Sequence, residues 1–412
     1  MSEARWFHRS FRSLRHRNYR LYFIGQMVSL IGSWMQTAIL TWIVFEMTGL
    51  SRWPAYLSAV QIGPTFLLGP LGGWLADHFP RRPLIMFTQF AYLTITLGLV
   101  ALLYGGYATP HRLLGVMFLA GLVQAIDLPA RLAYVPNLVP PAELINAVGL
   151  NSVQFNIARL IGPAVAGLML LWFEPWVCVF LNACSYVGVI IALYAMDIPK
   201  EARRTGPRAS IWSGFRELWL HPRIGIMIAL AGTMALFAWP LLTLLPAYTA
   251  NILHAQHTTY SLLLSSIGAG ALCAAFSVAT FVTAEHQIRW VITGMSIVAG
   301  ALLILSLTSS TNIAFIACSA FGFGMILFFA TGQTIVQLRT TNVTRGRVMG
   351  IWAMIMSGGV PIGSLILGPI ADRYGVASVL MGQAVVTLSL WLIALLGFRW
   401  LHGLTARREV IS

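Results

Sequence analysis

Residues 73–82 read Gly73-Trp74-Leu75-Ala76-Asp77-His78-Phe79-Pro80-Arg81-Arg82, a polar turn between two long apolar stretches. A glycine at the start allows close helix contact. An acid here can cap the N-terminus of a neighbouring helix, and an arginine can reach a carboxylate on another helix. We expect such a cluster to hold one side of the molecule closed and to break when its halves move. The alternative is an ordinary polar turn whose arginines only mark one side of a membrane.

The chain around this turn is unusually apolar. Of its 412 residues, 58% are hydrophobic and 9% are charged, whereas a soluble domain carries about 25% charged residues. This composition excludes a soluble globular protein, a disordered chain and, despite a net charge of +14, a nucleic-acid-binding protein. Twelve stretches have the roughly 20 apolar residues that a bilayer-spanning helix needs. We therefore predict an all-α membrane protein with 12 transmembrane helices.

The basic residues predict the orientation of these helices. Of 26 Lys and Arg residues, 22 fall in the first 20 residues, the even-numbered connections and the C-terminal tail. Positive loops stay in the cytoplasm, so we expect a multi-pass protein of the cell membrane with both termini cytoplasmic. Its basic rim would meet anionic lipid headgroups. The four cysteines fall within spans without metal-ligand spacing, so we expect no metal, no cofactor and no disulfide.

A weak internal repeat divides the chain into two halves. Phe11-Arg12 and Phe215-Arg216 precede corresponding spans, and Ile62-Gly63 resembles Ile267-Gly268 at nearly the same offset. Two parallel halves with a binding site between them are typical of secondary transporters. We predict two pseudo-symmetric six-helix bundles, with these domains: a basic amphipathic segment 1–20, a first bundle 21–197, a cytoplasmic linker with an amphipathic helix 198–222, a second bundle 223–399 and a cytoplasmic tail 400–412.

The turn at 73–82 resembles the major facilitator superfamily signature G-x-L-A-D-x-x-G-R-R/K, with Pro80 in place of the second glycine. The resemblance implies the major facilitator fold and a cytoplasmic latch. We define the cytoplasmic latch by six residues, Gly73, Asp77, Arg81, Arg82, Asp127 and Arg131. Family members pair an arginine of this loop with an acid of span 4, which here implies a role for Asp127.

Span 5 resembles the superfamily's antiporter signature G-x-x-x-G-P-x-x-G-G at Gly162, Pro163 and Gly167, with Ala158 and Ala166 replacing glycines. In the family this pattern accompanies proton-coupled export. The proline cannot donate a hydrogen bond to the preceding turn, so we expect the helix to bend there. The alternative is a packing kink without a role in coupling.

Three ionisable residues of the first half lie in or beside spans, where charge is costly. Asp127 is a candidate proton carrier, or it pairs with Arg81 or Arg131 in the cytoplasmic latch; both roles can coexist. Arg159, near the middle of span 5, could bind an anionic substrate, fix the protonation of an acid or bond carbonyls freed at the bend. Glu46, at the outer end of span 1, is a solvated acid or a second proton-coupling candidate.

The predicted substrate cavity is polar and aromatic, although a Ser or Thr hydroxyl can also bond to its own helix. An amide without a partner is costly in lipid, so the Gln and Asn residues are stronger evidence for a cavity than the Ser and Thr residues. The candidate residues are Gln26, Ser29, Ser33, Gln36, Thr37, Asn151, Phe155, Arg159, Trp239, Tyr248 and Gln333.

Runs such as Asp127-x-Pro129-Ala130-Arg131 and Pro136-Asn137-Leu138-Val139 resemble the enterobactin-exporter-like branch of the superfamily. The resemblance implies export of a small molecule, such as a siderophore or drug, in exchange for protons. We expect the protein to be a monomer. The main alternative is a lysophospholipid flippase of the same superfamily. An enzyme is disfavoured because we find no phosphate loop and no soluble domain. A non-transporting sensor is disfavoured because the latch acids are present.

Overall fold

The computed structural model describes residues 12–197, 222–282, 286–340 and 345–409, and nearly all of them are helical. Three short 3-10 helices, at Arg12–Arg15, Val135–Asn137 and Pro141–Glu143, connect or precede longer ones. The described residues form thirteen α-helices: α1 Arg17–Thr48, α2 Arg52–His78, α3 Arg81–Tyr104, α4 Pro110–Tyr134, α5 Leu144–Met169, α6 Pro175–Tyr194, α7 Pro222–Phe237, α8 Leu241–Asn251, α9 His257–Phe281, α10 Gln287–Leu307, α11 Thr311–Arg339, α12 Arg345–Tyr374 and α13 Val376–Glu409.

Ten helical stretches of the described chain are long and apolar enough to cross a membrane. The helices α7 and α8 together supply one of them, Ile224–Asn251. The predicted spans 2 and 5 correspond to α2 and α5, which are not among the ten. Of these two, α2 is rich in glycine and proline, and α5 carries several amide side chains. The molecule is thus a helical multi-pass membrane protein.

Large apolar side chains cover the outside of the helices. Leu67, Phe87 and Ile393 are among many such residues that are exposed. Exposed aromatic residues lie at helix ends, including Tyr104 and Tyr194. A surface of this kind suits lipid contact, with aromatic rings at the membrane–water interfaces.

The predicted seventh span is interrupted, as its sequence indicates. Helix α7 ends at Phe237 and α8 begins at Leu241, with a turn over Ala238, Trp239 and Pro240. The proline lacks the N–H that would continue the helix ladder.

The chain divides into two compact units. The first contains α1–α6 and also residues Ala255–Ser265. In it α1 packs against α5 and α6, α2 packs against α4, and α3 packs against α4 and α6. Glycines make the closest approaches: a Cβ atom on Gly121 of α4 would lie 2.5 Å from the carbonyl oxygen of Gln61 in α2. Helices without side chains at such positions come together at van der Waals distance.

The second unit contains α7, α8 and the chain from Ser266 onward. It has glycine contacts of the same kind. Gly322 of α11 lies against the carbonyl of Ile267 in α9, and Gly363 of α12 lies against the carbonyl of Leu236 in α7. These contacts correspond to the α4–α2 and α5–α1 approaches of the first unit.

Several predicted boundaries differ from the helices. Helix α1 begins at Arg17, within the predicted 1–20 segment, and α13 continues to Glu409, beyond the predicted bundle end at 399. A network around Glu143 joins the start of the described chain to the turn before α5. The Ser13 amide donates to Asn146 Oδ1 (3.0 Å), and His16 Nε2 lies 3.0 Å from Glu143 Oε2. The predicted amphipathic helices in 1–11 and in the linker 198–221 lie outside the described residues.

Candidate functional site

An acid and a base form a buried ion pair in α4. Asp127 Oδ2 lies 2.7 Å from Arg131 Nε, one helical turn away, and Asp127 is only 1% exposed. Charges inside a membrane helix are tolerated when they are paired. Asp127 therefore pairs with Arg131, which is one of the two arginines that were predicted as its partner.

Polar side chains from two other helices hold this pair. Asp127 Oδ1 accepts hydrogen bonds from Thr88 Oγ1 (2.7 Å) and Gln89 Nε2 (3.0 Å) of α3. Arg131 Nη1 donates to Gln26 Oε1 of α1 at 2.8 Å. The pair therefore joins α1, α3 and α4 within the first unit.

A second polar group connects α6 to α1. Asn182 Nδ2 donates to Gln36 Oε1 at 2.7 Å, and Tyr186 Oη lies 3.3 Å from Ser33 Oγ. The Tyr186 ring stacks on Tyr92 of α3, with centroids 5.3 Å apart and an interplanar angle of 13°. Gln36 and Ser33 were predicted cavity residues, but their partners Asn182 and Tyr186 were not predicted.

The missed residues carried a signal in the sequence. Asn182 and Tyr186 are four residues apart in the apolar helix α6, so they lie on one face. An amide at such a position needs a partner, because burying it alone is costly. Thr88, Gln89 and Tyr92 share one face of α3 by the same spacing.

Arg159 of α5 is 3% exposed, and its guanidinium lies over the ring of Trp34 in α1, 5.8 Å from the centroid. Phe155, one turn earlier, meets the same indole edge-on at 5.7 Å. Phe155 is nevertheless 46% exposed. The predicted Phe155–Arg159 face therefore exists and is anchored on α1 by Trp34.

Several predicted cavity residues bond within the protein framework. Ser33 and Thr37 donate to the carbonyls of Ser29 and Ser33, four residues earlier in α1. Asn151 Oδ1 accepts from Tyr19 Oη at 3.1 Å. The hydroxyls of Ser33 and Thr37 therefore bond to their own helix, which was the alternative to a role in the cavity.

The loop motif requires one correction. Close contact was expected at Gly73, but a Cβ atom there would meet no atom within 4 Å. The contact lies at Gly72, whose Cβ would collide with the carbonyl of Ala125 in α4. The phase of α2 turns Gly72, and not its neighbour, toward α4. Asp77 is exposed at the end of α2.

The two arginines of the loop motif contact different elements. Arg81 Nη1 donates to Asn137 Oδ1 (3.2 Å) and Arg82 Nη2 donates to the carbonyl of Tyr194 (3.1 Å). They therefore tie the start of α3 to the turn after α4 and to the end of α6.

The span-5 motif packs against two helices, α1 and α9. A Cβ atom on Gly162 would lie 2.5 Å from Trp34 Cβ and 2.8 Å from the carbonyl oxygen of Ile31. Pro163 is buried within the continuous helix α5. A Cβ atom on Gly167 would lie 2.7 Å from Ser261 Cβ, in the segment of α9 that belongs to the first unit.

The remaining candidates are dispersed. Trp239 packs edge-on against Phe329 at 5.6 Å, and the fully buried Tyr248 donates its hydroxyl to the carbonyl of Thr308 (3.1 Å). Gln333 is half-buried, and Glu46 is exposed near the end of α1. Within the part of the chain that the structure describes, no three His, Cys, Asp or Glu residues are placed to hold a metal ion.

The sequence matches the model of a family described as transmembrane secretion effectors over residues 8–403. The helical fold, the loop motif and this match together define a transporter of the major facilitator superfamily. The chain belongs to the transmembrane secretion effector family of that superfamily, and it is a transporter and not an enzyme.

Several similar proteins are named as transporters, exporters or efflux proteins. The staphyloferrin A transporter of Staphylococcus aureus is 23% identical, over 91% of this chain and 94% of its own. The enterobactin exporter EntS of Citrobacter koseri is 25% identical, over 93% and 92% of the two chains. Macrolide efflux protein A of Streptococcus pyogenes is also 25% identical, over 88% and 92%.

Solved transporter structures share the fold. The nucleoside transporter NupG superposes with a TM-score of 0.71 at 15% identity, over 93% of this chain and 99% of its own. A bacterial homologue of the human lysosomal transporter Spinster gives a TM-score of 0.70, at 15% identity and over 93% and 97% of the two chains. These likenesses show the shared fold. The family match and the names of the relatives make the chain a small-molecule transporter of the cell membrane.

Proposed function

We propose that this transporter exports a siderophore or a drug-like molecule by alternating access, in exchange for protons. It would work as a monomer with twelve spans in two pseudo-symmetric six-helix bundles, 21–197 and 223–399, and with both termini in the cytoplasm. The transport names of its relatives support the substrate class. The buried ion pair of α4 supports proton coupling most directly.

The pair suits coupling because its charge balance depends on one proton. With Asp127 ionised, the charges of Asp127 and Arg131 compensate each other at 2.7 Å. A proton on Asp127 removes the counter-charge of Arg131, whose side chain is 21% exposed, and the loss of a partner from such a largely buried pair is unfavourable. The helices that hold the pair would then rearrange. A ligand or proton that binds one conformation better shifts the population toward it.

In this proposal the other residues that gate the transporter and bind its substrate also lie in the first unit. Asp77, Arg81 and Arg82 belong with the pair to the cytoplasmic latch, and Gly72 supplies the close helix contact that was expected at Gly73. Arg159, held over Trp34, presents a positive charge to an anionic substrate. Within the motif of Gly162, Pro163 and Gly167, Gly162 fixes α5 against α1, so that the candidate cavity faces of both helices keep one geometry, while Gly167 contacts Ser261 of α9. Glu46, which is exposed, is the alternative candidate for proton coupling.

Transport by purified protein in liposomes tests the proposal. Accumulation of enterobactin, staphyloferrin A, a macrolide and a lysophospholipid would be measured with and without an imposed pH gradient. We expect at least one of the first three to accumulate against its gradient, and accumulation to collapse when a protonophore is added. Transport that is indifferent to the pH gradient would refute proton exchange. Transport of the lysophospholipid alone would replace the proposed substrate class.

A further inference from the structure

We propose that Asn182 and Tyr186 are positioning residues that connect the Asp127–Arg131 pair to the cavity face of α1, in space that Gly32 provides. This inference rests on the proposed coupling role of Asp127. The contacts, together with the face of α3 that Thr88, Gln89 and Tyr92 share, form a ring through four helices that begins and ends on α1. Its members, in order, are Gln26, Arg131, Asp127, Thr88 and Gln89, Tyr92, Tyr186, Asn182, and finally Ser33 and Gln36.

Asn182 is the fixed point of the ring on α6. It is 1% exposed, and its Nδ2 donates to Gln36 Oε1 (2.7 Å) and to Tyr186 Oη (3.3 Å). Its Oδ1 accepts from Ser185 Oγ at 3.1 Å. Both sides of the amide are therefore used, and any displacement of α1 relative to α6 leaves a buried polar group unsatisfied, which is costly.

The two tyrosines carry the ring from α6 to α3. Tyr186 reaches Ser33 and Asn182 with its hydroxyl while its ring stacks on Tyr92. Tyr92 follows Thr88 by four residues and Gln89 by three, so it shares a helix face with the two side chains that hold Asp127. A change at Asp127 that moves this face of α3 also moves the stacked ring.

Gly32 makes the contact between α1 and α6 possible. The three atoms nearest to an added Cβ there all belong to Asn182: it would collide with Oδ1, and it would lie 3.0 Å from Cγ and 3.3 Å from Cα. A methyl group at this position would push the amide of Asn182 away from Gln36. It would do so without removing any polar group.

The second unit indicates that the ring serves function more than folding. Gly121 and Gly322, and likewise Gly162 and Gly363, are 201 residues apart and make equivalent contacts. At that offset Gln383 corresponds to Asn182, whereas Phe328 and Gly332 stand where the ion pair would be. Gln383 is buried, and neither atom of its amide has a hydrogen-bond partner within the described residues. The same fold thus forms without an equivalent ring there.

A double-mutant cycle on the full-length protein in detergent tests the connection without any substrate. Asp127→Asn is combined with Gly32→Ala, and the melting temperatures of both single variants and the double variant are compared. Residues that share a network give non-additive effects, whereas distant sites add. We expect a departure from additivity of about 2 °C. Additive melting temperatures would overturn the proposal.

Gly25→Ala is the matched control. Gly25 lies two turns earlier on α1 and faces the same helix α6, where an added Cβ would be 3.3 Å from Ala192 Cβ. It neighbours Gln26, which accepts a hydrogen bond from Arg131, so on α1 it lies nearer than Gly32 to the residue that contacts the ion pair. Additivity for Gly25→Ala together with non-additivity for Gly32→Ala would assign the connection to Asn182. Equal departures for both variants would contradict it.

Tyr186→Phe keeps the stacked ring and removes only the hydroxyl, so it gives a second cycle if Gly32→Ala does not fold. Transport separates this inference from the proposed function. In Tyr186→Phe we expect proton-driven accumulation of the transported probe to fall at least about fivefold while probe–probe exchange stays near the wild-type rate. Equal loss of both would indicate a purely structural role. A wild-type protein without proton dependence would instead refute the proposed function, whatever the cycles show.

Discussion

Asp127 and Arg131 lie one turn apart on α4, and their 2.7 Å contact is shared with Thr88 and Gln89 of α3 and with Gln26 of α1. An acid four residues before a base is the favourable order on a helix. The shared contacts turn a local pair into a junction of three helices.

Replacing Asp127 by Asn should abolish proton-driven accumulation while leaving substrate exchange. An amide can keep hydrogen bonds with α3 but cannot take up and release a proton. The measurement is liposome transport with and without a pH gradient, in parallel with Glu46→Gln as the rival carrier. Retained gradient-driven transport in Asp127→Asn would leave Asp127 with a latch role alone. Loss of gradient-driven transport in Glu46→Gln would assign the coupled proton to Glu46.

Replacing Arg159 by Ala should weaken the transport of anionic substrates selectively. The guanidinium over Trp34 offers a positive charge that alanine removes. We expect the half-saturating concentration of a catecholate siderophore to rise about tenfold, equivalent to about 1.4 kcal/mol. A cationic macrolide serves as the comparison, and Arg159→Lys should restore part of the loss. Equal losses for both substrate types would show that Arg159 only supports the helix.

Replacing Gly72 by Ala should destabilise the protein, while Gly73→Ala should not. The added methyl group at Gly72 would collide with the carbonyl of Ala125, whereas at Gly73 it meets nothing within 4 Å. Overpacking of this kind costs about 1–3 kcal/mol. Thermal unfolding of the two variants in detergent measures the difference. Equal melting temperatures would place the close contact of α2 and α4 elsewhere.

Replacing Gly162 by Ala should also destabilise the protein, because the methyl group would press on Trp34 and on the carbonyl of Ile31. We expect a loss of about 1–3 kcal/mol. Gly149 is the matched control on the same helix, since a Cβ there has open space around it. Gly149→Ala should be neutral or stabilising by up to about 1 kcal/mol. A stable Gly162→Ala variant would remove the proposed α5–α1 contact.

Reporter fusions should place both termini in the cytoplasm, because basic connections remain on that side. A green fluorescent protein fused after residue 412 should fluoresce, and alkaline phosphatase fused there should be inactive. A phosphatase inserted into the short connection after Thr48 should be active, as this end of α1 would be outside. The reverse pattern would invert the proposed topology.

Much of the fold could be predicted from the sequence, because a bilayer makes strong demands on it. Long apolar runs can only be helices there, since every backbone group needs an internal partner. The superfamily was indicated by the motif in the turn at 73–82. The site was only partly predictable: Asp127, Arg131, Gln26 and Gln36 were named as candidates, but not their joint arrangement.

The sequence by itself determined that this is a helical membrane transporter of the major facilitator superfamily and that its buried charges lie in the first half. Helical periodicity assigns each residue to a face, but it does not say which helix that face meets. Only the tertiary structure decided that Gly72 makes the contact expected at Gly73. It likewise showed that Asp127 pairs with Arg131 and that Asn182 and Tyr186 join α6 to α1. These choices depend on helix rotation and packing, where a shift of one residue turns a side chain by about 100°.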